Sequence, residues 1–457
     1  MKKQRTKSSG INRRDFVKYS ISAASGTGLI QAGNVFGQSS KERTETKIKE
    51  HRILGRTGFE VSDIGLGAGN LTNANILEAA LDMGINYIDT AEHYVRGNSE
   101  RTIGQVLSKR DRKKIFLTTK LNLFMGGGSK EKLRQRFERC LERLQTNYVD
   151  CLMLHMVPTV EQLKHTPYHD LIRELKTEGK VRFSGLSTHG RDHIMAGPVK
   201  DDMDKIILAA AEDGRFDVVL FTYNFIQKNM GDKILNACAS RKMGTTLMKT
   251  NPVKFYQELQ NMLERNQEQG RKVGETFLKI MEDYKTLIVR GDAFIKKYGL
   301  ESPEQTRDAA IRFCLENPKV HSICPTINSY DELNAFVSLS GTRLDPKGKA
   351  MLSDFKSELS LGYCRHACGL CEGSCPYNVP VNTIMRYHHY FSSQHREKAA
   401  MEKYRALSGN TAEVCFACKE GACQKVCPYG VPIQGLLMAA HKTLTLQESS
   451  TACSRLA

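Results

Sequence analysis

The sequence has no run of eighteen or more apolar residues, which excludes an ordinary membrane-spanning helix. It has no Gly-x-Gly-x-x-Gly after an early strand-like segment, and this removes the main support for a doubly wound sheet, the runner-up architecture. It also carries no nucleic-acid-binding motif to accompany its 67 Lys and Arg against 50 Asp and Glu. Part of that excess is local, since residues 1–50 supply +7 of the net +17. A solvated basic surface is the meaning that remains, and no nucleic acid is expected as a partner. His189, His193 and the pair His388-His389 have no partner at metal-ligand spacing, so they are expected on the surface or in packing.

Cysteine is plentiful instead. Eight of the 14 cysteines fall between Cys364 and Cys427, in two blocks of four. The first is Cys364-x₃-Cys368-x₂-Cys371-x₃-Cys375-Pro376, and the second is Cys415-x₂-Cys418-x₄-Cys423-x₃-Cys427-Pro428. Two-cluster bacterial ferredoxins carry C-x₂-C-x₂-C-x₃-C-P, in which the fourth Cys ligates the other cluster. Three closely spaced thiolates grip one face of a cube, and the proline keeps the chain extended beyond the fourth ligand. Both blocks end in Cys-Pro and depart slightly from that spacing. They are expected to hold two [4Fe-4S] clusters. Disulfides in an exported chain and structural zinc are the competing readings. The six cysteines outside the blocks are expected as small buried hydrophobes.

At 457 residues the chain is long enough for one large domain and an accessory one. Residues 1–37 do not read as part of a fold. Basic residues lead into Asn12-Arg13-Arg14-Asp15-Phe16-Val17-Lys18, and a weakly apolar stretch rich in Gly, Ala and Ser follows. This resembles a twin-arginine (Tat) export signal, with the Tat translocase as partner and a periplasmic or extracytoplasmic destination. Tat carries folded proteins, so a cluster can be inserted before export. The competing reading is a basic tail with an accidental Arg-Arg pair.

From His51 onward, short apolar runs alternate with amphipathic helical patterns. The runs are Val61–Leu66, Tyr87–Asp89, Ile115–Thr119, Val149–Leu154, Val181–Leu186, Val218–Phe221, Thr245–Met248 and Ser322–Pro325. Asn98 and Ser129 are candidate helix caps, and Ser302-Pro303-Glu304-Gln305 is a capping-box pattern. This count and alternation predict an α/β fold, a (β/α)₈ TIM barrel over 51–345. Residues 249–300 lengthen the connection after the seventh barrel strand and form a candidate lid or a surface excrescence.

In a barrel, polar residues at the strand ends face the catalytic rim. Asp89 ends the second strand with Tyr94 shortly after, Lys120 ends the third, and His155 ends the fourth. An Asp–Lys pair beside a tyrosine would lower its pKa from the free value near 10, letting it donate a proton to a carbonyl oxygen that the histidine also binds.

The stretches Asp89-Thr90-Ala91-Glu92-His93-Tyr94, Thr119-Lys120, Leu154-His155, Gly97-Asn98-Ser99-Glu100, Arg143 to Asp150 and Gly179-Lys180-Val181-Arg182 resemble motifs of the aldo/keto reductases. With the cysteine blocks, the chain resembles the branch with a C-terminal ferredoxin-type domain. That resemblance implies Tyr94 as general acid, Lys120 and Asp89 tuning it, His155 orienting the carbonyl, and NAD(P)(H) as cofactor. Ser187 and Thr188, with Pro325 and Asn328, are the cofactor-binding candidates it implies. Leu220 and Met248 stand where the family has a glutamine and a stacking tyrosine, and Phe336 where it has an asparagine. The dinucleotide cradle therefore reads as eroded.

Between the cysteine blocks, Val381, Ile384, Met385 and His388 repeat at helical spacing, resembling an α-helical ferredoxin. By that analogy Cys364, Cys368 and Cys371 pair with Cys427, and Cys415, Cys418 and Cys423 with Cys375. The expected organisation is a signal at 1–37, a linker at 38–50, the barrel at 51–345, a 4Fe-4S domain at 346–445 and a tail at 446–457. The expected activity is carbonyl/alcohol interconversion on a small molecule, with the clusters serving an external electron carrier. The alternative is an electron-transfer or binding protein whose barrel has lost nicotinamide-dependent hydride chemistry.

Overall fold

Eight short strands lie parallel, each hydrogen-bonded to the next in chain order. They are β3 (Leu66–Gly67), β4 (Tyr87–Asp89), β5 (Phe116–Leu121), β6 (Val149–Leu154), β7 (Val181–Ser187), β8 (Val218–Thr222), β9 (Gly244–Met248) and β10 (Ser322–Ile323). A parallel bridge from Ile64 to Ile323 joins the last strand to the first. Across this seam Gly65 N donates to Ile323 O at 2.8 Å and Gly67 N to Pro325 O at 2.9 Å. A Cβ on Gly67 would lie 2.7 Å from the Cys324 carbonyl oxygen, so only glycine lets the seam close this tightly. The computed structural model describes residues 46–124, 126–190, 201–253, 289–360, 363–366, 368–392 and 396–445. The expected export signal, most of the 249–300 insert, His193 and the expected tail lie outside these.

The expected run Val61–Leu66 divides in two. Glu60–Ser62 (β2) pairs antiparallel with His51–Ile53 (β1), and the barrel strand proper begins at Leu66. Asp63 explains the break. It is fully buried, and its carboxylate accepts from Ser340 Oγ at 2.7 Å and Gly341 N at 2.9 Å, pinning the chain between the two strands.

Each barrel strand is followed by a helix: α1 (Ala74–Asp82), α2 (Asn98–Leu107), α3 (Lys130–Leu144), α4 (Thr166–Thr177), α5 (Met203–Asp213), α6 (Lys228–Ser240), α7 (Pro303–Glu316) and α8 (Tyr330–Ser338). Leu133, Phe137, Cys140, Leu141 and Leu144 make the buried stripe of α3, whose cap Ser129 accepts from Lys132 N. Asn98 is not the cap of α2. The chain enters through positive φ at Val95 and Arg96, Gly97 takes the N-cap position at φ 82°, and Asn98 becomes the first helical residue. Among the described residues no helix is long and apolar enough to cross a membrane.

Strand side chains alternate between faces. Tyr87, Phe116, Cys151, Met153, Val218 and Leu220 share one apolar cluster with Leu54 and Val61 of the β1–β2 hairpin. Counting onward by twos reaches Asp89 from Tyr87, Lys120 from Phe116 and His155 from Met153. The same alternation that fills the barrel interior therefore sets these three polar residues at its strand ends.

The remainder is helical among the described residues: α9 (Pro346–Asp354), α10 (Val381–Ser392), α11 (Glu397–Arg405), α12 (Ala422–Lys425) and α13 (Ile433–Leu444). Ile384, Tyr387, Ala400, Tyr404, Leu437 and Met438 form a separate small core, which includes Cys371, Cys415 and Cys423. Of the cysteines outside the blocks, Cys140, Cys151, Cys238 and Cys314 are buried as expected and Cys324 partly so.

Candidate active site

Lys120 is fully buried, and its Nζ lies 2.5 Å from Asp89 Oδ1 and 2.7 Å from the Thr90 carbonyl oxygen. The same ammonium stands 5.0 Å from the Tyr94 ring centroid. His155 meets the Tyr94 ring edge-on at 5.8 Å, and His93 stacks on His155 at 4.9 Å. All four expected catalytic side chains thus meet at one place.

Electrostatics assign their charge states. Burial raises Lys120's cost of ionising, yet the charge and hydrogen bond of Asp89, with Tyr94 beside it, outweigh that cost and hold the ammonium above its ordinary pKa. Burial lifts the Asp89 carboxyl, and Lys120 takes back only part of that rise. The Tyr94 phenol also stands above its ordinary 10.0, because burial outweighs the pull of Lys120. The expected lowering by the ammonium is present as an offset, not as the net result. Burial, with His93, Lys120 and His189 nearby, keeps His155 neutral well below its ordinary value. His93 is pushed down to about 4 by burial and the Lys403, Lys120, Arg396 and Arg136 charges. The arrangement offers a protonated phenol and a neutral imidazole to one oxygen atom, with a fixed cation behind them. Nδ1 of His155, of His93 and of His189 is buried without a hydrogen-bond partner among the described residues.

The cofactor candidates are engaged locally. Ser187 Oγ accepts from Met156 N at 3.1 Å, and Thr188 Oγ1 donates to the Val157 carbonyl at 2.6 Å. The Pro325 carbonyl is used at the barrel seam. Asn328 is exposed and held by Glu332. Leu220 and Met248 belong to the apolar interior cluster.

The cysteines approach one another across the two blocks. Burial pushes the Cys364 thiol well up, and Cys371, Cys368 and Cys427 add to it. Cys415 is pushed up to about 12 by burial, with Cys423, Cys375 and Cys418 adding. The fourth residue of each block thus stands among the first three of the other. One cavity is lined by Cys364, Cys368, Cys371 and Cys427 together with Leu370, Val381, Val431 and Ile433. Four thiols that repel when ionised, in an apolar setting, suit a cationic core that would deprotonate them. Among the described residues no group of three or more His, Cys, Asp or Glu side chains is placed to hold a metal ion.

The cysteine segment also reaches the barrel rim. His366, between Cys364 and Cys368, accepts through its carbonyl from Gln227 Nε2 at 2.9 Å, and its Nδ1 lies 3.1 Å from Lys249 Nζ. Its ring meets His389 of α10 edge-on at 5.4 Å. Arg96 pairs with Glu402 of α11 at 3.2 Å. His189, expected on the surface or in packing, is part-buried, and burial joined by the Lys249, Arg386 and Lys120 charges lowers its pKa. Sequence spacing missed His189, His366, His389, Lys249 and Arg386 as members of this rim. Only Lys249, directly after β9, carried a positional signal.

A family model described as Aldo/keto reductase family matches residues 63–355. The chain is 34% identical over 150 residues to an uncharacterized oxidoreductase, YqkF, of Bacillus subtilis, covering 30% of this chain and 48% of that one. It is 28% identical over 217 residues to an NADH-specific methylglyoxal reductase of Escherichia coli, covering 40% and 62%. It is 31% identical over 216 residues to an L-galactose dehydrogenase of Arabidopsis thaliana, covering 42% and 65%. The chain therefore spans about half to two thirds of the length of these curated relatives. A solved aldo-keto reductase from Bacillus halodurans, in its holo form, superposes at a TM-score of 0.48 with 21% identity, covering 66% of this chain and 95% of that one.

Proposed function

The chain belongs to the aldo/keto reductase family, and on that premise we propose that it is an exported oxidoreductase interconverting a carbonyl and an alcohol, with two [4Fe-4S] clusters for electron transfer. The observation that carries the catalytic part is the buried Lys120–Asp89 pair at 2.5 Å, set beside Tyr94 and His155. Tyr94 gives its proton to the carbonyl oxygen while the carbonyl carbon would take a hydride from a bound two-electron cofactor; in the reverse direction the phenolate takes the hydroxyl proton and the hydride would return to that cofactor. Lys120 holds positive charge where the phenolate would form. Asp89 fixes that ammonium, and neutral His155 donates a second hydrogen bond to the reacting oxygen.

The crossed approach of the two cysteine blocks supports the clusters. Cys364, Cys368, Cys371 and Cys427 would hold one, and Cys415, Cys418, Cys423 and Cys375 the other. Bound there, they supply one-electron transfer to an external carrier. The Arg-Arg segment at Arg13-Arg14 supports Tat export to an extracytoplasmic site.

The family works with NAD(P)(H), but the side chains available here suit a dinucleotide poorly. Ser187, Thr188 and Asn328 are engaged within the rim, and Leu220 and Met248 offer no hydrogen bond. That same observation favours a second reading, an electron-transfer or binding protein whose barrel has lost hydride chemistry.

Anaerobically purified protein should contain iron and sulfide, and titration with NADH and NADPH followed at the cluster absorbance separates the readings. Tyr94→Phe should lower turnover by roughly 10²- to 10⁴-fold with the fold intact. Unchanged turnover removes Tyr94 from the chemistry, and absence of iron and sulfide removes the clusters.

A further inference from the structure

We propose that His93 is a positioning residue for the reaction: its ring, stacked on His155, sets the plane in which His155 offers an N–H to the reacting oxygen. This deepens the proposed function and rests on it, because His155 is there the residue that binds the carbonyl or hydroxyl oxygen.

His155 is 4% exposed directly after β6, and its backbone is fixed. Its own N donates to the Leu121 carbonyl at 2.8 Å, and the N of the next residue, Met156, donates to Ser187 Oγ at 3.1 Å. The ring is held differently. An imidazole that works through one nitrogen is ordinarily oriented by a hydrogen bond at the other. Here Nδ1 is buried with no hydrogen-bond partner among the described residues. Two aromatic contacts stand in its place. His93 stacks on the ring at 4.9 Å with an interplanar angle of 24°, and Tyr94 meets it edge-on at 5.8 Å and 80°. His93 and Tyr94 in turn meet each other edge-on at 5.3 Å. Both geometries are those that aromatic pairs favour. Both histidines are neutral, so the stack brings no like charges together.

The backbone ahead of α2 is bent to bring this about. Neighbouring residues of an extended chain point opposite ways, yet His93 and Tyr94 both reach the same imidazole. A tight turn does this: Tyr94 N donates to the Ala91 carbonyl and Arg96 N to the His93 carbonyl, each at 3.0 Å. Val95 and Arg96 adopt left-handed φ values of 48° and 55°, and for the β-branched Val95 that conformation is strained. Strain of this kind persists only where the surroundings hold it. Glu92 is the hold. It takes two hydrogen bonds from the Arg136 guanidinium, one of them at 2.9 Å, and a third from Asn122 N at 3.3 Å, which ties the turn to the loop after β5. The strained turn thus delivers two rings to His155, and proton transfer at the reacting oxygen uses only one of them, Tyr94. Orienting His155 is the work left for the other.

The test compares His93→Ala, His93→Phe and His93→Asn in the anaerobic full chain. Phe keeps a ring for stacking without a polar atom, and Asn keeps hydrogen-bonding groups without a ring. In crystal structures the His155 ring should turn, or split between two orientations, with Ala and Asn, and keep its wild-type orientation with Phe. Turnover is read on a panel of small aldehydes from butanal to glyceraldehyde, with reduced methyl viologen or NADPH as the donor. His93→Ala and His93→Asn should lower kcat roughly 3- to 10-fold, the range an aromatic pair supplies, at nearly unchanged KM. His93→Phe should recover most of that loss, which a merely structural role for a polar residue would not allow. An unmoved His155 ring in His93→Ala overturns the proposal. Turnover rescued by Asn and not by Phe also overturns it, because His93 would then be a hydrogen-bonding group for the substrate. Turnover that survives Tyr94→Phe overturns the proposed function itself, whereas turnover lost with Tyr94→Phe yet unmoved by His93→Ala overturns only the part given to His93.

Discussion

Lys120→Met removes the cation at the centre of the site, and its cost follows from the surroundings. Lys120 is fully buried and Asp89 is 3% exposed. Asp89 Oδ1 has the ammonium at 2.5 Å, while Oδ2 has no hydrogen-bond partner among the described residues. The variant leaves a buried carboxylate without its counter-charge, which costs about 3–5 kcal/mol. Urea m-values grow with size and are about 3 kcal/mol/M for the larger small proteins, so the midpoint should drop by roughly 1–1.7 M. The assay is urea unfolding of anaerobically handled protein, followed by the far-ultraviolet signal that the barrel dominates.

The loss should depend on pH in a definite direction. Asp89 already stands above its ordinary 3.8 because burial outweighs the Lys120 charge, and without the ammonium it rises further. A carboxyl raised in the folded state binds a proton there while the unfolded chain is ionised, so folding stability falls as pH climbs between the two values. The cost of Lys120→Met is therefore full above the raised folded pKa and shrinks as pH drops toward 3.8. Adding Asp89→Asn should restore most of the stability at neutral pH, since no buried charge then remains. A pH-independent loss under 1 kcal/mol would refute the buried-pair account.

Gly67→Ala should destabilise by about 1–3 kcal/mol by driving a methyl group into the Cys324 carbonyl at the seam, read by thermal unfolding. Ser187→Ala leaves the Met156 N–H, at a left-handed residue directly after His155, without its acceptor; about 1–3 kcal/mol of stability should be lost, and a smaller loss would mean another acceptor takes over. Cys427→Ser should disturb the cluster of Cys364, Cys368 and Cys371 and spare the other, giving about half the iron with one electron-paramagnetic-resonance signal retained. Loss of the signal assigned to Cys415, Cys418 and Cys423 instead would reverse the crossing.

The barrel was legible because its strands are short apolar runs bounded by polar ends, and Val149–Leu154 forms with the boundaries expected. Asp89, Lys120 and His155 were legible for the same reason, each lying at a strand end in phase with the interior. Val61–Leu66 misled because apolarity does not show that Asp63 is pinned by Ser340, far along the chain. Asn98 misled because the positive-φ turn at Val95 and Arg96 shifts the cap onto Gly97. His189, His366 and His389 meet from three distant segments. No spacing rule relates them, and each alone looks like an ordinary surface or packing histidine. The sign of the Tyr94 shift was also beyond sequence, since residue types show the opposing charge but not the depth of burial.

The crossed cysteines bear on how that histidine group is held together. On the proposed ligation, each cluster is closed by the last cysteine of the opposite block, so residues 376–414 form a loop clamped at both ends. Clamping a long loop removes much of the freedom its ends would otherwise have. That loop contains α10, the helix bearing Arg386, His389 and Tyr390, and α10 packs on both α11 and α13. Iron removal by anaerobic chelation should therefore release α10 more than the barrel. Amide hydrogen exchange across α10 should quicken, while β5 and β6, buried throughout, keep their protection. Unchanged α10 protection after complete iron loss would mean that the apolar core around Ile384 and Tyr387 holds the helix alone, leaving the clusters no structural part in closing the mouth.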